Sequence, residues 1–207
     1  MTSAPRAVLS LLLASVAGCG GGVYTDPTPR AEAPCGVELL ANAGFDEGGT
    51  GWTAASTSSR PLVYRSGDAS LALTGVEPES PPYLAWLGHV DYETAMLAQS
   101  ASFYVPARAS SLSLSGSVYI LTDEDHQAAY DVAFLEIVDE SALQPIMLES
   151  YSNLDETTHW YQIAASTPTA ALQGKKLTLR ARAVLDDAYS TDFFFDSLSL
   201  VAGCPPR

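Results

Sequence analysis

Apolar residues occupy every second position, Gly116 excepted, in the stretch Leu112-Ser113-Leu114-Ser115-Gly116-Ser117-Val118-Tyr119-Ile120. Because successive side chains of a β-strand point to opposite faces of a sheet, this pattern predicts a strand with one buried and one solvated face. Residues 176–183, Lys-Leu-Thr-Leu-Arg-Ala-Arg-Ala, repeat the alternation, with leucine and alanine on the inner face. The two stretches together predict an antiparallel sheet.

The same period of two recurs from Cys35 onward, whereas no helical period of 3.6 residues is sustained. Glycine, proline, serine and aspartate clusters separate the alternating stretches and are typical of turns. Further strands are predicted at 37–41, 61–65, 69–74, 83–87, 95–105, 130–138, 145–150, 158–165 and 192–201. About ten short strands in one domain indicate two packed sheets. We therefore expect residues 35–207 to form one β-sandwich domain.

The composition limits the partners that the chain can bind. The 207 residues are 47% hydrophobic and 16% charged, with a formal net charge of −14. A surface this negative repels phosphate backbones and anionic lipid headgroups, which argues against a nucleic-acid partner and against polybasic membrane attachment. Neutral, cationic or calcium-bridged partners are favoured.

The first residues have the layout of an export signal. Residues 1–18 begin with one basic residue, Arg6, continue with the apolar run 8–16, and end in small residues. The run is too short to span a membrane and is typical of a cleaved signal peptide. The segment Val16-Ala17-Gly18-Cys19 resembles the lipobox of bacterial lipoproteins, which implies lipidation of Cys19 and a lipid anchor in the membrane. An ordinary secretory peptide with an incidental cysteine is the alternative.

Residues 19–34 are predicted to be a flexible tether between the lipidated cysteine and the domain. Three glycines and then three spaced prolines cannot build a core. Gly20 carries no aspartate-type retention signal, so the resemblance to lipoproteins implies the outer membrane, on its periplasmic or cell-surface face.

Two further cysteines remain once Cys19 is assigned to lipid. Cys35 and Cys204 lie at the two ends of the predicted domain. Disulfides persist in the oxidising compartments that exported proteins reach, so we expect these two residues to form a disulfide bond. Two free thiols are the alternative.

Several motifs follow one another between about residues 36 and 204. The first, residues 40–52, resembles the Asn-Gly-Gly-Phe-Glu to Trp opening of carbohydrate-binding-module-like jelly rolls, with Ala43 and Asp46 at the first glycine and the glutamate. The others resemble, in their order, jelly rolls appended to secreted bacterial proteases and surface proteins: 83–88, 99–107, 130–132, Ser152-Asn153 before Trp160, and 191–200. The resemblance implies an all-β, two-sheet antiparallel jelly-roll β-sandwich, galactose-binding-like or MAM-like, used mostly for non-catalytic binding.

The same resemblance implies a structural calcium ion where the first and last strands meet. Asp196 is in phase with the apolar residues that follow it, so its carboxylate is predicted to point inward, where an unpaired charge is costly. A hard cation with oxygen ligands would resolve this cost. The predicted ligands are Asp46, Glu47 and Asp196, with backbone carbonyls around 67 and 70 as weaker ones. A bulge that turns Asp196 to solvent, or a hydrogen-bonded carboxylate, is the alternative.

Two other acidic segments invite a cation but lack the full pattern. Asp123-Glu124-Asp125-His126 has no glycine and no distal glutamate of an EF-hand loop. We therefore predict a solvated hairpin tip there, and we interpret Asp186-Asp187 in the same way.

Aromatic and basic side chains supply the predicted ligand-binding residues. Tyr119 is predicted to face outward from its strand, and Tyr83 and Tyr92 to lie in loops, where their rings could contact sugars. Lys176, Arg180 and Arg182 form an outward basic stripe, whose two arginines are the predicted ligands for a carboxylate or uronic acid. Pairing with acidic residues on the neighbouring strand is the alternative. The three tryptophans are predicted to pack in the core.

No catalytic pattern is present in the sequence. The three histidines are scattered, and there is no HEXXH, GxSxG, CxxC or phosphate-loop motif. We therefore do not expect an enzyme; a carboxylate pair for glycoside hydrolysis, drawn from the plentiful acidic residues, is the alternative. The expected function is a membrane-anchored lipoprotein with a non-catalytic binding module for a glycan or a surface protein. A structural or assembly lipoprotein that contacts proteins of a cell-envelope complex is the alternative.

Overall fold

The computed structural model describes residues 34–142 and 145–206. The predictions for the signal peptide, Cys19 and most of the tether therefore lie outside the described residues. Within the described ranges, no helix is long and apolar enough to cross a membrane.

The described residues are almost entirely β-structure. Their eleven strands are β1 Trp52–Ser56, β2 Val63–Arg65, β3 Tyr83–Gly88, β4 Thr94–Gln99, β5 Phe103–Tyr104, β6 Ser111–Thr122, β7 Val132–Asp139, β8 Pro145–Ser152, β9 Tyr161–Pro168, β10 Lys176–Val184 and β11 Thr191–Gly203. A short helix, α1, spans Ala69–Thr74, and a single 3₁₀ turn spans Asn153–Asp155.

The strands form two antiparallel sheets. The first sheet has the order β1-β4-β10-β7-β8, and the short β5 also pairs with β10. The second sheet has the order β2-β3-β11-β6-β9. Sequential strands cross repeatedly from one sheet to the other, as in a jelly roll. The prediction of an all-β, two-sheet antiparallel β-sandwich is confirmed.

The main core lies between the sheets and follows the predicted phases. In β10, the side chains of Leu177, Leu179, Ala181 and Ala183 are at most 1% exposed, whereas the residues between them are half-buried. In β6, the side chains of Leu112, Leu114, Val118 and Ile120 are at most 2% exposed. The alternation in residues 112–120 and 176–183 therefore marks the inner faces of the two sheets.

A second apolar cluster covers the outer face of the second sheet. Trp86 of β3 and Phe194 of β11 lie there with Leu71 of α1, all at most 1% exposed. Because Phe193 and Phe195 point into the main core, β11 is buried on both faces. The run of three phenylalanines, 193–195, thus fits a central strand.

The prediction of a strand at 69–74 is wrong, because these residues form α1. The Asp68 side chain accepts a hydrogen bond from the Ser70 N–H at 2.9 Å, which caps the helix. Gly75 ends it in the left-handed conformation, with φ of 73°. Leu71 and Leu73 fit an alternating pattern as well as a helix, so the alternation misled the prediction.

Two other predicted strands differ from the observed ones, and one observed strand was not predicted. Residues 37–41 contribute only an isolated bridge, between Glu38 and Val201. The predicted strand 95–105 is two strands, β4 and β5, which are separated by a bend at 100–101. β1 was not predicted, because this edge strand exposes its three central residues and shows no alternation of buried and solvated positions.

The two ends of the sandwich differ in character. At one end lie the loops β3–β4, β6–β7 and β10–β11, since the strand pairs Gly88–Asp192, Thr122–Thr191 and Val132–Val184 meet there. At the other end, Cys35 and Cys204 form a disulfide bond with their Cα atoms 5.8 Å apart. The disulfide prediction is confirmed. We call these the loop end and the disulfide end.

Candidate functional site

The three carboxylates predicted to bind calcium do not form a cluster. Asp46 and Glu47 are exposed on the segment before β1, whereas Asp196 is buried in β11. Among the described residues, one group of at least three acidic, histidine or cysteine side chains has ligand atoms within 4.8 Å of one another, and it contains none of the three.

Backbone hydrogen bonds stabilise the Asp196 carboxylate. The Ser80 N–H donates to Oδ2 at 2.9 Å, and the Ser197 N–H donates to Oδ1 at 2.6 Å. Burial nevertheless raises the pKa of Asp196 to about 6, although the two N–H donors act in the opposite direction. Asp196 points inward as predicted, beside a bulge that interrupts the pairing of β11 with β6. Of the alternatives, the hydrogen-bonded carboxylate is the one observed.

The predicted tyrosines lie at three separate places. Tyr119 is half-buried and packs edge-on against Trp160 and Phe194, with ring centroids 5.9 and 6.3 Å away. Tyr83 is the first residue of β3 and not a loop residue as predicted, and it is half-buried against the main core. Tyr92 is 69% exposed in the loop end, where its hydroxyl donates to Asp187 at 3.0 Å. The three rings form no common platform.

The basic stripe of β10 is paired with an acidic side chain on β7. Arg180 and Arg182 both approach the Glu136 carboxylate, with N–O distances of 2.7 and 3.3 Å, and Glu136 is 2% exposed. The Arg182 guanidinium also lies 4.6 Å from the centre of the Phe134 ring. Pairing with the neighbouring strand, the alternative interpretation of this stripe, is therefore what the structure contains.

A cleft of about 480 Å³ opens between the edges of the two sheets, near the loop end. Its walls come from β6, the end of β8, the segment 155–159 and the start of β9; the lining residues are Val118, Ile120, Tyr151, Asp155, Glu156, Thr157, Thr158, His159 and Tyr161. We call this the edge cleft. None of its residues was among the predicted ligand-binding residues.

Local hydrogen bonds fix the polar wall of the edge cleft. Asp155 accepts hydrogen bonds from the N–H and the hydroxyl of Ser152, at 2.8 and 3.0 Å, which close the 3₁₀ turn. Thr157 then bonds to β6 twice: its N–H donates to the Ile120 carbonyl, and its hydroxyl accepts from the Ile120 N–H, both at 3.0 Å. The segment 155–159 is therefore attached to the sandwich and not a free loop.

The edge cleft combines aromatic side chains with polar groups. The Tyr161 side chain is 61% exposed at its rim, and Tyr151 is half-buried, where burial raises the pKa of its hydroxyl. The carboxylate of Glu156 lies 3.3 Å from His126 Nε2 of the β6–β7 loop. An aromatic face beside carboxylates, hydroxyls and an imidazole is a setting that suits a ligand with C–H faces and hydroxyl groups.

A second feature of the loop end is the acidic group already mentioned. It consists of Glu124 and Asp131 of the β6–β7 loop and Asp186 of the β10–β11 loop. Glu124 is only 9% exposed, so the prediction of a solvated tip at 123–126 is wrong for this residue. Asp186 is half-buried, while Asp187 is exposed as predicted. The sequence does not identify Asp131 as a site residue, because an isolated acid just before a strand gives no signal of its burial.

Comparisons with known proteins identify the fold alone. No protein-family model matches the chain, and no curated protein matches it. Solved structures do match: TmCBM61 in complex with β-1,4-galactotriose is 13% identical, with a TM-score of 0.51, and covers 80% of this chain and 99% of its own. The K3 cleaved adhesin domain of Lys-gingipain from Porphyromonas gingivalis is 13% identical, with a TM-score of 0.52, over 81% and 99%.

An enzyme has the same architecture. A cyclase from Fischerella sp. TAU is 15% identical, with a TM-score of 0.54, over 83% of this chain and 99% of its own. The common feature is the β-sandwich, which binding modules, adhesin domains and an enzyme share. The fold therefore does not select a function, and the site residues must carry that argument.

Proposed function

We propose that the chain is a lipoprotein, anchored through Cys19 in the outer membrane on its periplasmic or cell-surface face, whose sandwich is a non-catalytic glycan-binding module. The observation that carries the binding part is the edge cleft, with an exposed tyrosine ring beside fixed polar groups. The lipobox-like segment 16–19 carries the anchoring part. Both parts are open to direct tests.

The contents of the edge cleft favour a sugar over a peptide. The flat face of Tyr161 can pack on the C–H face of a pyranose ring, while Glu156, Thr158 and His159 offer hydrogen bonds to its hydroxyls. The hydrogen bonds that fix segment 155–159 reduce the entropy lost on binding.

The charge of the site selects among glycans. The chain carries a net charge of −14, and two carboxylates, Asp155 and Glu156, line the edge cleft. Repulsion from these charges disfavours uronic acids and sulfated sugars. We therefore propose neutral polysaccharides as the class of ligand. β-1,4-Galactan is the first to test, because TmCBM61 was solved with β-1,4-galactotriose.

The decisive experiment measures binding of the full chain to a panel of neutral and anionic polysaccharides by calorimetry. We expect binding to at least one neutral polysaccharide and none to polygalacturonate. Tyr161→Ala should weaken binding at least about tenfold, whereas Tyr161→Phe should retain it, since an aromatic anchor carries a large share of such a contact. Tyr189→Ala, at a ring 66% exposed elsewhere in the loop end, is the matched control and should bind normally.

Binding to no neutral polysaccharide, or full retention of binding by Tyr161→Ala, would exclude the edge cleft as a glycan site.

The anchoring part is tested separately by palmitate labelling in the producing bacterium: Cys19→Ala should lose the label and Cys35→Ala should keep it. A label that persists in Cys19→Ala contradicts the lipoprotein assignment.

A further inference from the structure

The acidic group of the loop end brings together residues from two loops. Glu124 lies near the start and Asp131 at the end of the β6–β7 loop, and Asp186 lies in the β10–β11 loop. One carboxylate oxygen of each lies within 4.8 Å of the others. Oxygens that surround one calcium ion at 2.3–2.6 Å are up to about 5 Å apart, so these separations suit a shared cation.

A second, independent observation points to a ligand. Across the described residues, two buried side-chain polar atoms have no hydrogen-bond partner: Glu124 Oε1 and Asp131 Oδ2. Both belong to this acidic group, and their residues are 9% and 0% exposed. A buried carboxylate oxygen without a donor is costly, so such atoms require an explanation.

The surrounding charges do not supply that partner. None of the ion pairs formed by the described residues includes Glu124, Asp131 or Asp186. Burial raises the pKa of Glu124, and the neighbouring charges that raise it further are all negative: Asp186, Asp131, Asp125 and Asp91. Burial also raises the pKa of Asp131. The three carboxylates therefore lie close enough to repel one another, and no ion pair among the described residues offsets their charge.

Other hydrogen bonds hold the group in a fixed geometry. The Asp186 N–H donates to Asp131 Oδ1 at 2.8 Å, which leaves Oδ2 as the atom without a partner. The Ala188 N–H donates to Asp186 Oδ1 at 3.0 Å. Asn153, which is fully buried, binds both sides of the β6–β7 loop, since its amide donates to the carbonyls of Asp125 and Ala128. The carboxylates of Asp131 and Asp186 are therefore positioned before any cation arrives.

We propose that Glu124, Asp131 and Asp186 bind a calcium ion that joins the β6–β7 loop to the β10–β11 loop. The donor set is three carboxylates, without histidine or cysteine, which is the preference of a hard cation and not of zinc or copper. Ligands on two separate loops favour calcium over magnesium, because calcium accepts irregular geometry. This site is distinct from the predicted one at Asp46, Glu47 and Asp196, and it does not depend on the proposed glycan function.

The test compares the melting temperature of the full chain in EGTA and in Ca²⁺. We expect Ca²⁺ at a hundredfold excess over its Kd to raise the melting temperature by roughly 5–10 °C. Glu124→Gln should abolish the shift, and because it removes one of three repelling charges it should melt no lower than the native chain in EGTA. Asp46→Asn is the matched control and should keep the full shift.

A direct readout guards against variants that fold poorly. Tb³⁺ should bind in place of Ca²⁺ and emit light through energy transfer from Tyr92, whose N–H donates to the Asp186 carbonyl at 2.6 Å. Added Ca²⁺ should displace Tb³⁺ and so reduce this emission. Equal melting in EGTA and Ca²⁺, or a full shift in Glu124→Gln, overturns the site. Loss of the shift in Asp46→Asn would move the cation elsewhere, and an equal response to Mg²⁺ would overturn the assignment to calcium.

Discussion

At the scale of single residues, buried carboxylates are the most informative side chains. Asp139 accepts hydrogen bonds from Lys175 Nζ at 2.7 Å and from the hydroxyl and N–H of Ser141, and these donors lower its pKa to about 2. Burial raises the pKa of Asp196 to about 6, and hydrogen bonds from backbone N–H groups compensate for it only in part. The two residues therefore give opposite contributions to the pH dependence of stability.

The Asp196 carboxyl should make the native state less stable as the pH rises. Its folded pKa lies above the ordinary value of 3.8, so the native state holds the proton more tightly than the unfolded state between about pH 4 and 6. In that window we expect a loss of at most about 1.4 kcal/mol per pH unit from this group. Urea unfolding of Asp196→Asn between pH 4 and 7 should lack this component.

The control for that experiment is Asp139→Asn. Because its folded pKa is lowered, Asp139 contributes stability above about pH 4 that is lost as the pH falls toward 2. Its substitution should change the acid limb of the profile and leave the slope between pH 4 and 6 as in the native chain. Identical slopes in the native chain and Asp196→Asn would contradict the account of Asp196.

At the scale of elements, α1 depends on its packing more than on its own backbone. A helix of six residues is too short to be stable alone. The contacts of Leu71 with the second apolar cluster, on the outer face of the second sheet, must therefore stabilise it. Leu71 is 1% exposed, whereas Leu73 in the same helix is 90% exposed. The two leucines form a natural pair for comparison.

We expect Leu71→Ala to lower the free energy of unfolding by about 2–4 kcal/mol, because it leaves a cavity above Trp86 and Phe194. Leu73→Ala should change it by less than about 0.5 kcal/mol. Chemical denaturation of both variants measures the difference. Equal effects of the two substitutions would mean that α1 does not pack as described.

The elements also explain what the sequence could and could not predict. Alternation identified the inner faces of β6 and β10, because burial on one face imposes a period of two on a long strand. It failed at α1, although Asp68 and Gly75 carried the cap signals in the sequence. The acidic group and the edge cleft could not be predicted, since residues such as Asp131 and Asp186 are distant in sequence and meet only through loop packing.

At the scale of the whole molecule, the two ends of the sandwich differ in their chemistry. The acidic group and Tyr92 lie in the loop end, near the edge cleft, while the disulfide bond closes the other end. The chain therefore enters and leaves the sandwich at the end opposite the proposed calcium site. Such an arrangement leaves the loop end accessible to a partner.

The disulfide bond should dominate the global stability. It spans 169 residues, and in the chain-entropy model closing a loop of that size restricts the unfolded state by on the order of 5 kcal/mol. We expect dithiothreitol to lower the melting temperature of the native chain by many degrees. The double variant Cys35→Ala/Cys204→Ala should melt as low as the reduced protein and should not respond to dithiothreitol. A response in the double variant would contradict this explanation.

The position of Cys35 and Cys204 also determines how the molecule carries mechanical load. A pulling force applied to the chain before Cys35 and after Cys204 passes through one covalent bridge, because the two residues are joined directly. None of that tension reaches the strands between them, so the sandwich is shielded from it. A force applied instead at the loop end would act across the hydrogen-bonded strands, and the bridge would then be the fixed point against which they are loaded.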